Sequence, residues 1–461
     1  MPLSLVYPAN SLTGGYEVAN SCRFTRGDSP YMHITPGSDG DLRKFTVAFW
    51  CKRGLLTTGS GTGRQVIFST ATNDAITFDG STDKLVILED GGNALVTERL
   101  FRDCSAWYHV CVAVDTEQGV AANRIKLYIN GTLITDFSTT CQTSQNADMG
   151  FGKASEMMSV GRSEFDDNRH FDGYLAEFYY INDAQLAASD FGEFDEDSPS
   201  IFKPKEFEGS FGTNGFYLDF EDSANLGNDA NGGTDLTEVN LAAADQATDT
   251  PTNNFCTLNP LDIASAAITL SEGNCKMVGS GTADDKDVFS TFGITAGKWY
   301  WEVKTRSVGE RNWLIVSDQG ESGYKFTATN YGTNHAYLRA FDGGIVTSAT
   351  ENSEPGSALN DNDVACFAFD ADNGQLWVSD SANIDISTTA NATGLSTSTT
   401  YHISYSHVGN SPGSTNEFNF GNPVSALTSA NADENGYGAF EYAPPSGYLA
   451  LCTKNLGSDG G

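Results

Sequence analysis

Basic residues are scarce in this chain: 26 Lys and Arg stand against 60 Asp and Glu, a formal charge of −34 over 461 residues. So acidic a surface repels a phosphate backbone, which excludes nucleic acid as an electrostatically held partner. No apolar run approaches the roughly 20 residues that a membrane-spanning helix needs, so membrane insertion is not expected. The opening MPLSLVYPAN lacks a charged segment followed by an apolar one. No signal peptide is therefore expected, and folding in a reducing cytoplasm is. The six histidines (His33, His109, His170, His335, His402, His407) are scattered, and their spacing builds neither a Ser-His-Asp nor a Cys-His grouping, which argues against nucleophilic catalysis. The nine cysteines are odd in number and show no CxxC or histidine-spaced pattern, which indicates neither a zinc site nor a fully paired disulfide framework. Long heptad patterns are absent too, so no coiled coil sets an oligomer axis.

Glycine (48 residues), Asn, Thr and Ser are plentiful, a composition suited to many short strands joined by turns. The most informative stretch is Trp107–Phe137. There Tyr108, Val110, Val112 and Val114 alternate with His109, Cys111 and Ala113, the period of two of a strand. Ile125, Leu127 and Ile129 alternate again, and Asn130-Gly131 supplies the two left-handed residues of a type I′ hairpin. That turn sets Leu127 opposite Ile134 and Lys126 opposite Thr135, with one face in a core. Further strands are expected at Leu3–Tyr7, 45–53, 64–71, 84–90, 93–101, Met157–Gly161 and Asp172–Asn182, and a short helix at Asp183–Asp190. Arg26-Gly27-Asp28 spells an integrin-binding string, but Gly27-Asp28 reads as a turn.

From Phe191 the character changes. An acidic run and a Pro/Gly-rich run precede the strand-like Gly215–Phe220, a polar loop at Glu221–Asp235 and a sparsely hydrophobic stretch to Asp262. Residues 192–262 are expected to wrap along neighbouring sandwiches without a core of their own. A second strand pattern begins near Ile268, clearest in Lys298–Lys304 (KWYWEVK), Val364–Asp370 (VACFAFD) and Gln375–Ser379 (QLWVS). The expected organisation is all-β: a sandwich over 1–191, an extended acidic linker over 192–262, and a second sandwich over 263–461.

These strings carry resemblances. Phe45–Gly54 (FTVAFWCKRG), Trp107–Val110, the Asn130-Gly131 hairpin and Phe171–Phe178 (FDGYLAEF) resemble the laminin-G-type, concanavalin A-like jelly roll. KWYWEV, FAFDADNGQLWVS and Phe418–Pro423 (FNFGNP) resemble a SPRY-type sandwich, a relative of the same fold. The phrases GTNGFYLDFEDSANLGNDANG and DTPTNNFCTLNPLD are similar to segments of marine bacteriophage virion proteins with a laminin-G-like front half.

Hydrolases of the concanavalin A-like fold need two carboxylates on one strand face, about 5 Å apart in a retaining mechanism. Glu193-Phe194-Asp195-Glu196-Asp197 is the nearest string; it lacks the final Glu, runs into Pro199 and reads as a solvated linker. Glu177 stands alone in its strand, as a rim or hydrogen-bonding group. The resemblance to laminin-G-like domains implies calcium at the sandwich rim, for which Glu164–Asp172 and Asp222–Asp235 supply oxygens without EF-hand spacing. Glycan binding calls for an aromatic platform with polar side chains on loops at one end of a sandwich. Asp166, Asp167, Asn168 and Arg169 are the candidates in the first domain, and Trp313, Tyr331 and Tyr337 in the second.

The resemblances imply a non-enzymatic virion surface protein of the tail-fibre or receptor-binding type. Its expected partners are host surface glycans, other virion proteins and further copies of itself. A capsid decoration or head-fibre protein and a glycan-depolymerising hydrolase are the alternatives.

Overall fold

The computed structural model describes residues 15–56, 63–166, 169–263, 268–279, 286–307, 312–318, 334–347, 350–355, 358–407 and 414–459. The expected opening strand at Leu3–Tyr7 lies outside them. The chain divides into two compact units, Met1–Thr252 and Asn253–Gly461. Both are built from strands, and among the described residues no helix is long and apolar enough to cross a membrane.

The first unit is a sandwich of two eight-stranded sheets. One runs Thr132–Leu133, Ile125–Ile129, Tyr108–Asp115, Lys44–Arg53, Gly173–Asn182, Ser21–Phe24 and Gln246–Ala247, with Phe216–Leu218 also paired to Gly173–Asn182. The other runs Phe137–Thr139, Gly92–Leu100, Lys84–Glu89, Ala75–Phe78, Gln65–Thr70, Met158–Val160, Tyr31–Ile34 and Thr237–Val239. The alternation in Tyr108–Asp115 becomes packing directly. Tyr108, Val110, Val112 and Val114 enter the core between the sheets with Ile125, Leu127 and Ile129. The hairpin turns at Asn130 (φ 47°) and Gly131 (φ 75°), and Ile134 N–H reaches the Leu127 carbonyl at 2.8 Å. The expected helix at Asp183–Asp190 is a single 3-10 turn, Ala188–Asp190.

The same alternation sends Trp50, Cys111, Tyr174 and Tyr179 to the opposite face of the first sheet, where they are buried as well. Residues beyond 190 cover them: Phe191 and Phe202 pack there, with Phe207, Phe211 and Tyr217 partly buried alongside. Full burial of a phenylalanine contributes about 1.5–3 kcal/mol, so this covering layer is a second core. It is pinned by charge. Asp249, fully buried, accepts bonds from Lys52 Nζ at 2.6 Å and Trp107 Nε1 at 2.9 Å. Residues 192–252 thus belong to the first unit and lend edge strands to both of its sheets; Leu258–Ile263 pairs within the second unit.

The second unit packs two seven-stranded sheets around Trp299, Trp301, Phe367, Phe369 and Phe418. Lys298–Ser307 is central to one sheet, between Thr415–Asn419 and Val364–Asp370. The other sheet holds Asn312–Ser317 between His402–His407 and His335–Arg339.

Candidate functional site

The loop expected to bind glycan is largely engaged with itself. Arg169 pairs with Asp166 at 2.8 Å and lies over the Phe165 ring at 5.6 Å, while Asp167 and Asn168 lie outside the described residues. In the second unit, Trp313 stands in register with Ser406 and Arg339, and Tyr331 lies outside the described residues. Tyr337 is only 5 % exposed and packs with Phe289 and Ile315, so its ring is not an open platform. Strand alternation aims it away from the main core, but neighbours on that sheet face occupy it.

The acidic loops considered for calcium spend their oxygens on the protein's own donors. Glu164 takes the Arg162 guanidinium at 2.9 Å, and Asp172 takes the Arg26 backbone N–H at 3.0 Å. Asp235 accepts from Asp229 N–H at 3.0 Å and from Asn225 Nδ2 at 2.9 Å. Among the described residues no group of three or more His, Cys, Asp or Glu is placed to hold a metal ion. In the Glu193–Asp197 string, Lys203 lies 3.4 Å from Glu193 and 3.5 Å from Asp195, beside a two-stranded sheet, and pairs with both carboxylates.

What the fold does assemble is a cleft of about 350 Å³ at one end of the first sandwich. One wall is Ile34-Thr35-Pro36-Gly37, where the Tyr31–Ile34 strand ends. The other is formed by two turns of the covering segment, Gly212–Phe216 and Asp229–Thr234. Gly212 (φ 69°) and Asn214 (φ 64°) make the first turn possible, because a Cβ at Gly212 would collide with the Asn182 carbonyl. Asn214 Nδ2 ties that turn to the Ser38 carbonyl at 2.8 Å.

Asp229 builds the second turn. One carboxylate oxygen accepts the backbone N–H groups of Tyr217 at 2.9 Å and Asn231 at 3.0 Å, and the other accepts Gly233 N–H at 3.1 Å. Asp229 lines the cleft but is only 4 % exposed, and its carboxylate is taken up by the three N–H groups that hold the loop. Three exposed side chains are left around the opening: Thr35, Asn231 and Thr234. They offer two hydroxyls and one amide, five N–H or O–H and carbonyl functions in all by side-chain chemistry, above a floor that includes Ile34, Met158 and Phe216. That set suits a neutral, polyhydroxylated molecule. It supplies no nucleophile and no acid–base pair.

Behind this wall lies an acidic centre that sequence spacing did not reveal. Glu177 sits in a bulge of the Gly173–Asn182 strand with φ 50°, and is 3 % exposed. It accepts hydroxyl bonds from Tyr179 at 2.7 Å, Tyr217 at 2.9 Å and Tyr16 at 3.1 Å. Burial pushes its carboxyl up to about 7, the three hydroxyls pull it back, and Asp219 adds a smaller push upward. Among the described residues no cation pairs with it, so the group is a hydrogen-bonded anchor for its strand.

Sequence reasoning missed the cleft because Thr35 lies 177 positions before Gly212 and 196 before Asn231, though the strings GTNG and DANGGT do signal tight turns. A search of curated protein sequences found no match. Among solved structures, the SPRY domain of human HERC1 is 12 % identical, covering 35 % of this chain and 96 % of that one, at a TM-score of 0.29. A putative carbohydrate binding protein from Bacteroides ovatus ATCC 8483 is 17 % identical, covering 48 % and 58 %, at a TM-score of 0.33. A heptameric SAP-like pentraxin from Limulus polyphemus is 16 % identical, covering 38 % and 80 %, at a TM-score of 0.27. Residues 26–189 match the family Laminin_G_3, of the concanavalin A-like lectin/glucanases superfamily, and the first unit therefore contains a concanavalin A-like domain.

Proposed function

We propose that this protein binds carbohydrate without transforming it, and that the cleft bounded by Thr35, Asn231 and Thr234 is the binding site. The observation that carries this reading is the cleft itself. Its exposed polar groups are uncommitted to the fold, while its one buried carboxylate, Asp229, is consumed in shaping the loop. A sugar recognised there would exchange water for hydroxyl and amide partners and lay its C–H face on the apolar floor. The concanavalin A-like domain supports a lectin role at the level of fold alone. The setting we propose is the surface of a bacteriophage particle, as a tail-fibre or receptor-binding component that contacts host glycans. The similarity of the covering segment to virion proteins supports that setting.

The test is a glycan array probed with the full chain, followed by calorimetric titration of each hit against Thr35→Ala, Asn231→Ala and Thr234→Ala. Each lost hydrogen bond costs about 0.5–1.5 kcal/mol, so the triple variant should bind at least about tenfold more weakly. An array without hits, or hits that the triple variant binds unchanged, overturns the assignment. Release of new reducing ends from a bound glycan overturns the non-catalytic part. Cryo-EM density for the chain at the tail supports the proposed setting, and density confined to the capsid shell overturns it in favour of decoration.

A further inference from the structure

Asn-Gly occurs five times in the chain, at Asn130, Asn214, Asn231, Asn373 and Asn435. Glycine carries no Cβ, so its backbone nitrogen can approach the preceding side-chain amide without steric hindrance. Four of the five amides are held by the fold. Asn130 Oδ1 accepts His109 N–H at 2.8 Å, and Asn214 Nδ2 donates to the Ser38 carbonyl at 2.8 Å. Asn373 Nδ2 donates to the Asp370 carboxylate at 2.9 Å, and Asn435 Nδ2 to Asn455 Oδ1 at 3.0 Å. Asn231 differs. It is exposed at the cleft, and among the described residues its side chain takes no hydrogen bond.

A matching turn in the second unit isolates that difference. Asp229-Ala230-Asn231-Gly232 and Asp433-Glu434-Asn435-Gly436 are bonded alike. In each, the Asp carboxylate accepts the Asn N–H at 3.0 Å, and the Asp carbonyl accepts the Gly N–H, at 2.8 Å in the first and 3.0 Å in the second. The two glycines have φ 84° and 82°, and both asparagines are exposed. Only the Asn435 amide is tethered. We propose that Asn231 is a site of spontaneous covalent modification, at which the Gly232 backbone nitrogen attacks Asn231 Cγ and closes a cyclic imide. The N–Cγ bond forms as the Cγ–Nδ2 bond breaks. The Gly232 amide proton passes to solvent, and Nδ2 takes a proton from solvent and leaves as ammonia. Water then opens the imide at either carbonyl, giving aspartate or isoaspartate, the latter with the main chain rerouted through the side-chain carbon. Either product adds a carboxylate to the loop that walls the cleft. The Gly N–H bond must open first, a local event at a surface turn that is common to both copies.

The inference does not rest on the carbohydrate reading, because its readout is a change in the chain's own covalent structure. It is tested by incubating the full chain in mildly alkaline buffer and following each Asn-Gly step by peptide mass spectrometry, with released ammonia measured alongside. One hydrogen bond of ordinary net strength slows a reaction that must break it by roughly twofold to tenfold, so Asn231 should be converted at least about twofold faster than Asn435. It should also lead the other three. In urea, where every tether is lost, the five steps should converge on a common rate. Asn231→Gln places the amide carbon one methylene further from the Gly232 nitrogen at an exposed position. It should remove the fastest phase of ammonia release and leave the unfolding transition where it was. An Asn231 that stays unconverted overturns the site. Conversion of Asn435 at an equal or greater rate overturns selection by the free amide. A ranking that persists in urea shows that local sequence sets it, and overturns the structural assignment.

Discussion

Glu177 gives the sharpest test of the first unit. Its carboxyl is buried among three tyrosine hydroxyls, and burial raises it from 4.5 to about 7. Between those two values the folded chain holds a proton at this site that the unfolded chain has released. Stability from this group is therefore fully present below about pH 4.5 and is lost as the pH rises toward 7. A displacement of 2.5 units at 1.36 kcal/mol each corresponds to about 3 kcal/mol over that window. Glu177→Gln stays neutral throughout and removes this slope. Its amide brings one donor pair among hydroxyls that had been donating, so a pH-independent cost of about 1 kcal/mol accompanies the substitution. The variant should be slightly less stable than wild type near pH 4.5 and more stable by about 2 kcal/mol at pH 8. Urea unfolding of the full chain at pH 4.5, 6, 7 and 8, followed through the transition that reports Trp50 and Trp107, measures the difference. A difference between the two proteins that does not change with pH would refute the reasoning.

His109 should produce the opposite slope. Burial against Trp50 and Phe202, each 5.1 Å away, pushes its imidazole down to about 3. Stability from its neutral form is then complete above the ordinary value of 6.5 and is lost as the pH falls, by about 2 kcal/mol at pH 5. In His109→Phe the pH 5 to pH 7 stability difference should shrink by that amount, as measured by the same unfolding series. Lys52→Met should destabilise the first unit by about 3–5 kcal/mol, because it leaves the Asp249 carboxylate buried without its cation. Adding Asp249→Asn should recover part of that loss in a double-mutant cycle; additive losses would show that the pair is not coupled.

How far the fold could be read in advance depended on where each face was aimed. Val110, Val112 and Val114 alternate with His109, Cys111 and Ala113, and that period of two located the strand, its inward face and the hairpin register. The strand Ala75–Phe78 went unread: it is four residues long, between loops, with no alternation beyond Ile76 and Phe78. A short helix was expected at Asp183–Asp190, but Thr46 Oγ1 holds that stretch against the sheet, accepting from Leu186 N–H at 2.9 Å and donating to the Ala184 carbonyl at 2.8 Å. Glu177 was legible as a lone hydrogen-bonding carboxylate. Its three partners were not, since Tyr16 lies 161 positions and Tyr217 lies 40 positions away. The cleft was invisible for the same reason: Thr35 and Asn231 are ordinary surface residues until the covering segment brings their turns together.

That covering segment has a consequence for biosynthesis. Lys52 waits for a partner 197 positions later and Trp107 for one 142 positions later, so the outer face of the first sheet cannot close when residue 189 leaves the ribosome. At about 5–20 residues per second, the 63 residues from 189 to 252 take roughly 3–13 s to follow. Throughout that interval Trp50, Trp107, Tyr174 and Tyr179 form an aromatic patch without its cover, flanked by sheet edges that still await Gln246–Ala247 and Thr237–Val239. A fragment ended at the family boundary would keep that exposed state permanently and should aggregate. The nascent chain passes through it once, and chaperone demand during synthesis should peak there.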